Sequence, residues 1–381
     1  MRDRFPIRTL HLLPELKEGG LERGVVEKAI WLQKHGIGAG VVSAGGFWLD
    51  RLSRHQVPHF RLPVNYKNPF HIGACCLALR RIIRDEGIHL VCAHSRAPAW
   101  SAHYATRRGG RHEPPLIIEA QGYYEPYFYS NVMRMGDRII AVSGAIRVYM
   151  VTRLGASPCT TVVIPRGFAA DEFPEPDPDA RELIRREWGI PPDGKLVVGI
   201  GRLTHTKGWD DLIEAISLMP DPRPFCFLVG SSLGRRRRYV RKLKEMIKSL
   251  GLGQLVRFAG HREDVSSIYK AADVVAAPSR LPEPFGRVVI ESIVFGCPVV
   301  TTEGCGAAEF LGDEYRRFLV PPGDPKALSE RLIDVLSDLD AARRAVSAIS
   351  ATILTDLTID KQMEATVKVY RDCRPDLPWP D

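Results

Sequence analysis

A chain of 381 residues exceeds one ordinary hydrophobic core and predicts two domains. Its 45% hydrophobic and 26% charged content is that of a water-soluble globular protein. No apolar run approaches the roughly 20 residues needed to span a bilayer, which excludes a helical membrane protein. The charge is unevenly placed: residues 1–168 carry 23 Lys and Arg against 12 Asp and Glu, and the remainder 30 against 33. The basic half is expected either to face an anionic partner (a membrane surface, an acidic acceptor or nucleic acid) or simply to keep the chain in solution. Met1-Arg2-Asp3-Arg4-Phe5-Pro6 leads into no apolar signal segment, so a cytoplasmic protein is expected. The eight cysteines are scattered, with no Cys-x-x-Cys, and read as reduced thiols.

Along the chain, short apolar runs alternate with helical patterns. Strands are predicted at residues 7–13, 41–43, 88–92, 116–118, 138–142 and 162–165, and helices at 21–35, 72–86 and 98–107. A stretch rich in Pro and acid, residues 171–178, has linker composition. The alternation then restarts, with strands at 195–199, 225–229, 256–258, 273–277, 299–301 and 318–320. Helices fill 209–217, 236–249, 286–295 and 325–337. The fold class is therefore α/β: two doubly wound parallel-sheet domains facing across a cleft, with ligand at the C-terminal strand ends. The expected boundaries are 1–170, a linker region 171–194, 195–355, and a final helix within 356–381.

Two segments of the second half carry the clearest chemistry. Gly199-Ile200-Gly201-Arg202 is followed five residues on by Lys207, all before a helix. This is a cationic loop at a strand end, suited to stabilising a departing diphosphate. Glu283-Pro284-Phe285-Gly286-Arg287 opens another helix, and Glu291 lies about two turns beyond Glu283. The helix start between the two acids offers backbone N–H groups and a positive dipole end, a place for phosphate.

Together these segments resemble the retaining glycosyltransferases of family 4, which have the GT-B fold of two Rossmann-like domains. The resemblance runs from Gly19-Gly20-Leu21-Glu22, through Ala141-Val142-Ser143 and Val163-Ile164-Pro165-Arg166-Gly167, to Leu319-Val320-Pro321-Pro322-Gly323-Asp324. It implies that Arg202 and Lys207 grip the donor diphosphate, that Glu283 lies by the transferred sugar, and that Glu291 binds ribose. Gly201, Phe285, Gly286 and Arg287 belong to the same implied donor site. The resemblance places His261 near the nucleotide base, and Gly19 and Gly20 by phosphate or acceptor. It implies that the final helix crosses back to the first domain.

His94 follows a strand and suits a contact with donor or acceptor, or a purely structural role. One residue departs from the family pattern. Members commonly carry His-Gly after the strand at 116–118, whereas this chain carries Gln121-Gly122. Gln offers an amide donor and acceptor but no charge change near neutral pH, which leaves the donor sugar open.

The aromatic run Tyr123, Tyr124, Tyr127, Phe128 and Tyr129 suits sugar stacking, a membrane interface or internal packing. Arg235-Arg236-Arg237-Arg238 reads as a solvated face, or as a source of one phosphate-facing Arg. No metal ligand set and no cofactor are expected: Asp177-Pro178-Asp179 lies in the linker, Asp338-Leu339-Asp340 in a terminal helix, and Arg202 with Lys207 takes the role of Mg²⁺.

The expected reaction is transfer of a hexose-type sugar from a UDP- or GDP-linked donor to a saccharide acceptor. Lipopolysaccharide or another lipid-linked glycan at the inner face of the cytoplasmic membrane is the expected acceptor. An epimerase or hydrolase acting on a nucleotide sugar is the alternative. No zinc spacing or helix-turn-helix supports nucleic acid as partner.

Overall fold

Short runs of Val, Ile and Leu become parallel strands that helices cover on both faces. The computed structural model describes residues 4–17, 19–107, 113–170, 173, 175–231 and 237–380, and it divides into two units. The first comprises Met1–Gly167 with Thr358–Asp381, and the second Phe168–Leu357.

In the first unit the strands are β1 (Ile7–Leu12), β2 (Ile37–Ser43), β3 (His59–Arg61), β4 (Leu90–Ala93), β5 (Leu116–Ala120), β6 (Arg138–Ala141) and β7 (Thr161–Val163). They form one sheet in the order β3-β2-β1-β4-β5-β6-β7, with every pairing parallel. The helices are α1 (Gly20–Lys34), α2 (Leu49–Arg54), α3 (Pro69–Glu86), α4 (Arg96–Ala105) and α5 (Gly144–Leu154). Local chemistry sets their ends. The Asn68 side chain accepts from Phe70 N–H before Pro69 starts α3, and Gly87, at φ +61°, ends it. Ser143 caps α5 by accepting from Ile146 N–H. β3, α2 and α5 do not appear among the elements expected from the sequence; β3 and α2 are three and six residues long, too short to show a period.

In the second unit, helix α6 (Ala180–Glu187) comes first. The sheet follows: β8 (Leu196–Ile200), β9 (Phe225–Val229), β10 (Val256–Gly260), β11 (Val274–Ala277), β12 (Val299–Thr302) and β13 (Leu319–Val320). Its order is β10-β9-β8-β11-β12-β13, again all parallel. The helices between are α7 (Trp209–Leu218), α8 (Arg237–Ser249), α9 (Val265–Ala271), α10 (Arg287–Val294), α11 (Pro325–Ser337) and α12 (Leu339–Asp356).

The linker region expected over residues 171–194 thus contains α6. This helix buries Ala180 and Ile184, and Arg181 and Arg185 pair with the buried Asp273 at the foot of β11. Its charge hides an anchoring role that only the distant partner reveals.

The last helix, α13 (Ile359–Cys373), belongs to the first unit. Met363, Val369 and Tyr370 join the core built on Ile7, Val41 and Leu90, and Trp31 Nε1 of α1 donates to Asp360 (2.6 Å). Each such fully buried aliphatic side chain contributes about 1.5–3 kcal/mol relative to exposure. No helix of the described residues is long and apolar enough to cross a membrane.

Candidate functional site

In each sheet the strand order reverses once, between β1 and β4 in the first unit and between β8 and β11 in the second. Open parallel sheets bind ligands at the C-terminal strand ends of such reversals. Several of the residues singled out from the sequence lie near these two reversals, and His261 does not.

At the β8/β11 edge, Gly201 ends the strand and Arg202 follows with an exposed side chain. A 3-10 turn, His205–Lys207, then leads to Gly208 and α7. Gly208 has φ +69°, and a Cβ there would collide with the Pro278 carbonyl oxygen. Glycine is therefore required for the Lys207 loop to lie against the loop after β11.

Across this contact Lys207 Nζ donates to Glu283 Oε2 (2.5 Å), and Ser279 Oγ donates to the same oxygen (3.0 Å). Burial by itself would raise the Glu283 carboxyl. The Lys207 ammonium and the Ser279 hydroxyl outweigh burial and hold it below the usual carboxylate range. Arg202 adds a further positive charge near this carboxylate.

Gly286, at φ +100°, turns the chain into α10, and a Cβ there would lie 2.6 Å from Cys305 Sγ. Phe285 is buried, and its carbonyl accepts from Ala307 N–H (2.5 Å), so its side chain packs inward. Glu291, on the first turns of α10, is buried. It accepts from Tyr269 Oη (2.9 Å) and from Arg287 Nε (3.4 Å). His261 is exposed after β10, two strands away from β8, and is not brought against Lys207 or Glu283. Arg235 and Arg236 lie outside the described residues, as does the side chain of Arg237.

Several contributors to this edge were not visible in the sequence. Arg280 Nε donates to Asp211 Oδ2 (2.7 Å), its Nη1 lies 3.0 Å from Asp210 Oδ2, and its backbone N–H donates to Thr206 O (3.0 Å). It therefore straps the Lys207 loop and the start of α7 to the loop after β11. The two sides are about 70 residues apart in sequence, and no local pattern announces such a pairing. Tyr269, 22 positions before its partner Glu291, and Ser279, only four before Glu283, were also missed.

The first unit is built differently. Gly19 precedes α1 with an extended backbone (φ −178°), and a Cβ there would strike the Glu22 carboxylate. Gly20 O accepts from Arg166 Nη1 (2.5 Å) in the loop after β7. His94, just after β4, is fully buried. Its Nε2 lies 3.2 Å from His11 Nδ1, and its Nδ1 lies 3.0 Å from Gln121 Nε2 and 3.4 Å from Glu119 Oε2.

Glu119 is buried and bonded to the buried Lys28 of α1. Burial would raise its carboxyl, but the Lys28 ammonium holds it well below the usual range. His11, Lys28, Glu119 and Arg166 were all missed from the sequence. Their partners lie between 45 and 146 residues away.

Much of the aromatic run is internal packing. Arg96 lies 5.8–5.9 Å from the ring centroids of Tyr124, Tyr127 and Tyr129, and Tyr123 meets Tyr149 edge-on. Phe128 stacks on Trp100 at 5.8 Å yet remains 79% exposed.

Two doubly wound parallel sheets, one with a cationic loop at its strand-order reversal, define the GT-B class of α/β proteins. Residues 180–350 match the family described as Glycosyl transferases group 1, and residues 18–172 match Glycosyltransferase Family 4. The chain belongs to this glycosyltransferase family.

Among its relatives is the D-inositol 3-phosphate glycosyltransferase of Corynebacterium jeikeium (strain K411). It is 30% identical over 226 residues, which cover 58% of this chain and 54% of the relative. The chain thus spans a little over half the length of such curated relatives. A glycosyltransferase structure from Rickettsia africae ESF-5 superimposes with a TM-score of 0.86 and 26% identity, covering 96% of this chain and 98% of the other. Anabaena HepE, in complex with UDP and glucose, superimposes with a TM-score of 0.82 and 23% identity, covering 96% and 100%. That last likeness is one of fold.

Proposed function

We propose that this protein is a retaining glycosyltransferase that moves a sugar from a UDP- or GDP-linked donor to a saccharide acceptor without a metal ion. The observation that carries the reading is the Lys207–Glu283 pair beside exposed Arg202 at the β8/β11 reversal. Two cations within one loop match the charge that develops on a diphosphate as the glycosidic bond breaks. Lys207 neutralises the leaving phosphate, and Arg202 holds its partner oxygens. Glu283 aims the Lys207 ammonium and orients the sugar. Glu291, fixed by Tyr269 and Arg287, accepts from the ribose hydroxyls. The acceptor hydroxyl attacks on the face the leaving group departs from, and the freed phosphate takes its proton. Gly19, Gly20 and Gln121 line the edge of the first unit that serves the acceptor and the sugar's outer hydroxyls, with His94 buried behind Gln121.

We take the acceptor to be an anionic or lipid-linked saccharide, such as a lipopolysaccharide precursor, met at a membrane surface. Two features favour this. The first half of the chain is strongly basic, and Phe70 and Phe128 of that unit are exposed. The D-inositol 3-phosphate glycosyltransferases among its relatives are named for a phosphorylated acceptor.

The test is a panel of UDP- and GDP-sugars read by thermal shift, followed by transfer assays with the sugar that stabilises the protein. NMR of the product reads the anomeric configuration, and EDTA tests the metal. Product with the donor's own anomeric configuration, formed at an unchanged rate in EDTA, is expected. Inverted product, or free sugar formed without acceptor, overturns the reading. Co-sedimentation with anionic liposomes, lost in Phe128→Ser, checks the membrane step.

A further inference from the structure

The buried polar groups of the first unit connect in one direction only. Thr9 Oγ1 has a single hydrogen, and it goes to the carbonyl of Gly38 (3.2 Å). His11 Nε2, 3.1 Å from that hydroxyl, must therefore donate to it. Burial, then the neighbouring His94, lowers the pKa of His11 to about 3, so the ring is neutral and its Nδ1 is a bare acceptor. His94 Nε2, 3.2 Å away, must donate to it.

At the other end Arg166 Nη2 donates to Gln121 Oε1, because a guanidinium can only donate. This fixes the carboxamide: its carbonyl faces Arg166 and its NH₂ faces inward. One amide hydrogen goes to His94 Nδ1 (3.0 Å) and the other to Glu119 Oε2 (3.3 Å). Each group thus donates to the next, from Arg166 through Gln121, His94, His11 and Thr9 to the backbone of β2.

We propose that His94 is a positioning residue: with His11 and Thr9 it locks the Gln121 carboxamide, and through it Arg166 and the Gly20 loop, in one orientation. This rests on reading that strand edge as the substrate-facing one. It has a consequence for specificity. Both amide hydrogens of Gln121 point inward, so a sugar hydroxyl meeting Gln121 must donate to its carbonyl.

His11, His94 and Glu119 also place ligand-type atoms within 4.8 Å of one another. The hydrogen-bond chain already accounts for these atoms. A cation there would sit beside the Lys28 ammonium bonded to Glu119.

The first measurement needs no activity. Long-range ¹H–¹⁵N NMR of the imidazoles in the full-length protein reads which ring nitrogen carries hydrogen. The expected spectrum shows Nε2–H and bare Nδ1 for both His11 and His94. Hydrogen on Nδ1 of either ring overturns the proposal.

The second is kinetic. His94→Phe breaks the chain and is expected to lower kcat/KM about 10–100-fold, mostly through KM. In His94→Asn the new carboxamide oxygen can accept from Gln121, which should recover most of that loss. An unchanged kcat/KM in His94→Phe, or equal loss in both variants, contradicts the proposal. Should His94→Phe fail to fold, the spectrum and the His94→Asn variant decide it. A wild-type protein that transfers no sugar refutes the proposed function, while the tautomer spectrum still judges the chain.

Discussion

The two strand-order reversals share a topology and differ in how they hold polar groups. At the β8/β11 edge the groups are charged and partly open to solvent: Arg202 is exposed, and Lys207 and Glu283 are set by a short ionic contact. At the β1/β4 edge they are buried. Neutral His11 leads through His94 to Gln121, beside a sealed Lys28–Glu119 pair. The first arrangement can meet a diphosphate by exchanging one ionic partner for another at little reorganisation cost. The second suits recognition of neutral hydroxyls by fixed dipoles. One fold repeated twice thus carries charge compensation on one unit and oriented hydrogen bonding on the other.

The comparison breaks first at Lys207. Lys207→Ala should cut transfer about 10²–10³-fold, the range seen when one transition-state cation or donor is removed. It leaves the fold intact by circular dichroism. A loss below about threefold would take Lys207 out of the site.

Next comes acid. His11, His59, His89 and His103, all in the first unit, are lowered from 6.5 chiefly by burial, His11 to about 3 and His89 to about 4. A lowered histidine means that the unfolded chain binds the proton first. The stability is therefore complete above about pH 6.5 and is lost as pH falls toward the folded values. In the second unit the lowered groups include the carboxylates of Asp264, Asp273 and Glu283, whose contribution persists down to about pH 4.5 before it is lost. Hydrogen exchange at pH 7.5 and pH 5 should show protection falling in the first unit before the second. Equal loss in both would erase this distinction.

Arg280→Ala should raise the donor KM about tenfold with a smaller change in kcat, because it frees the Lys207 loop without removing a ligand-facing charge. The smallest effect is expected from Tyr269→Phe. It removes one hydrogen bond to Glu291, worth about 1 kcal/mol, and should weaken binding of the ribose-containing part only severalfold. Titration calorimetry with the nucleoside diphosphate checks both.

The alternation of apolar runs made the two doubly wound sheets legible, and β9 and α11 match their expected spans residue for residue. Arg202, Lys207 and Glu283 were legible because a strand, glycine and charge occur together locally. The supporting contacts were not. Arg280 meets Asp211 across 69 positions, Lys28 meets Glu119 across 91, and His11 meets His94 across 83. On a parallel sheet, neighbours at a strand end come from crossovers of a helix or more, so their side chains meet without a shared sequence pattern. Gln121 illustrates the limit. Its departure from the family pattern was plain, but its inward-facing amide follows only from Arg166 and His94.

The most direct measurement is calorimetric binding of UDP and GDP, with uridine and guanosine as controls, to the wild type, Lys207→Ala and Arg202→Ala. Diphosphate affinity should fall at least about tenfold in each variant, while nucleoside affinity stays the same. Equal diphosphate affinity in all three proteins would contradict a donor site at the β8/β11 edge.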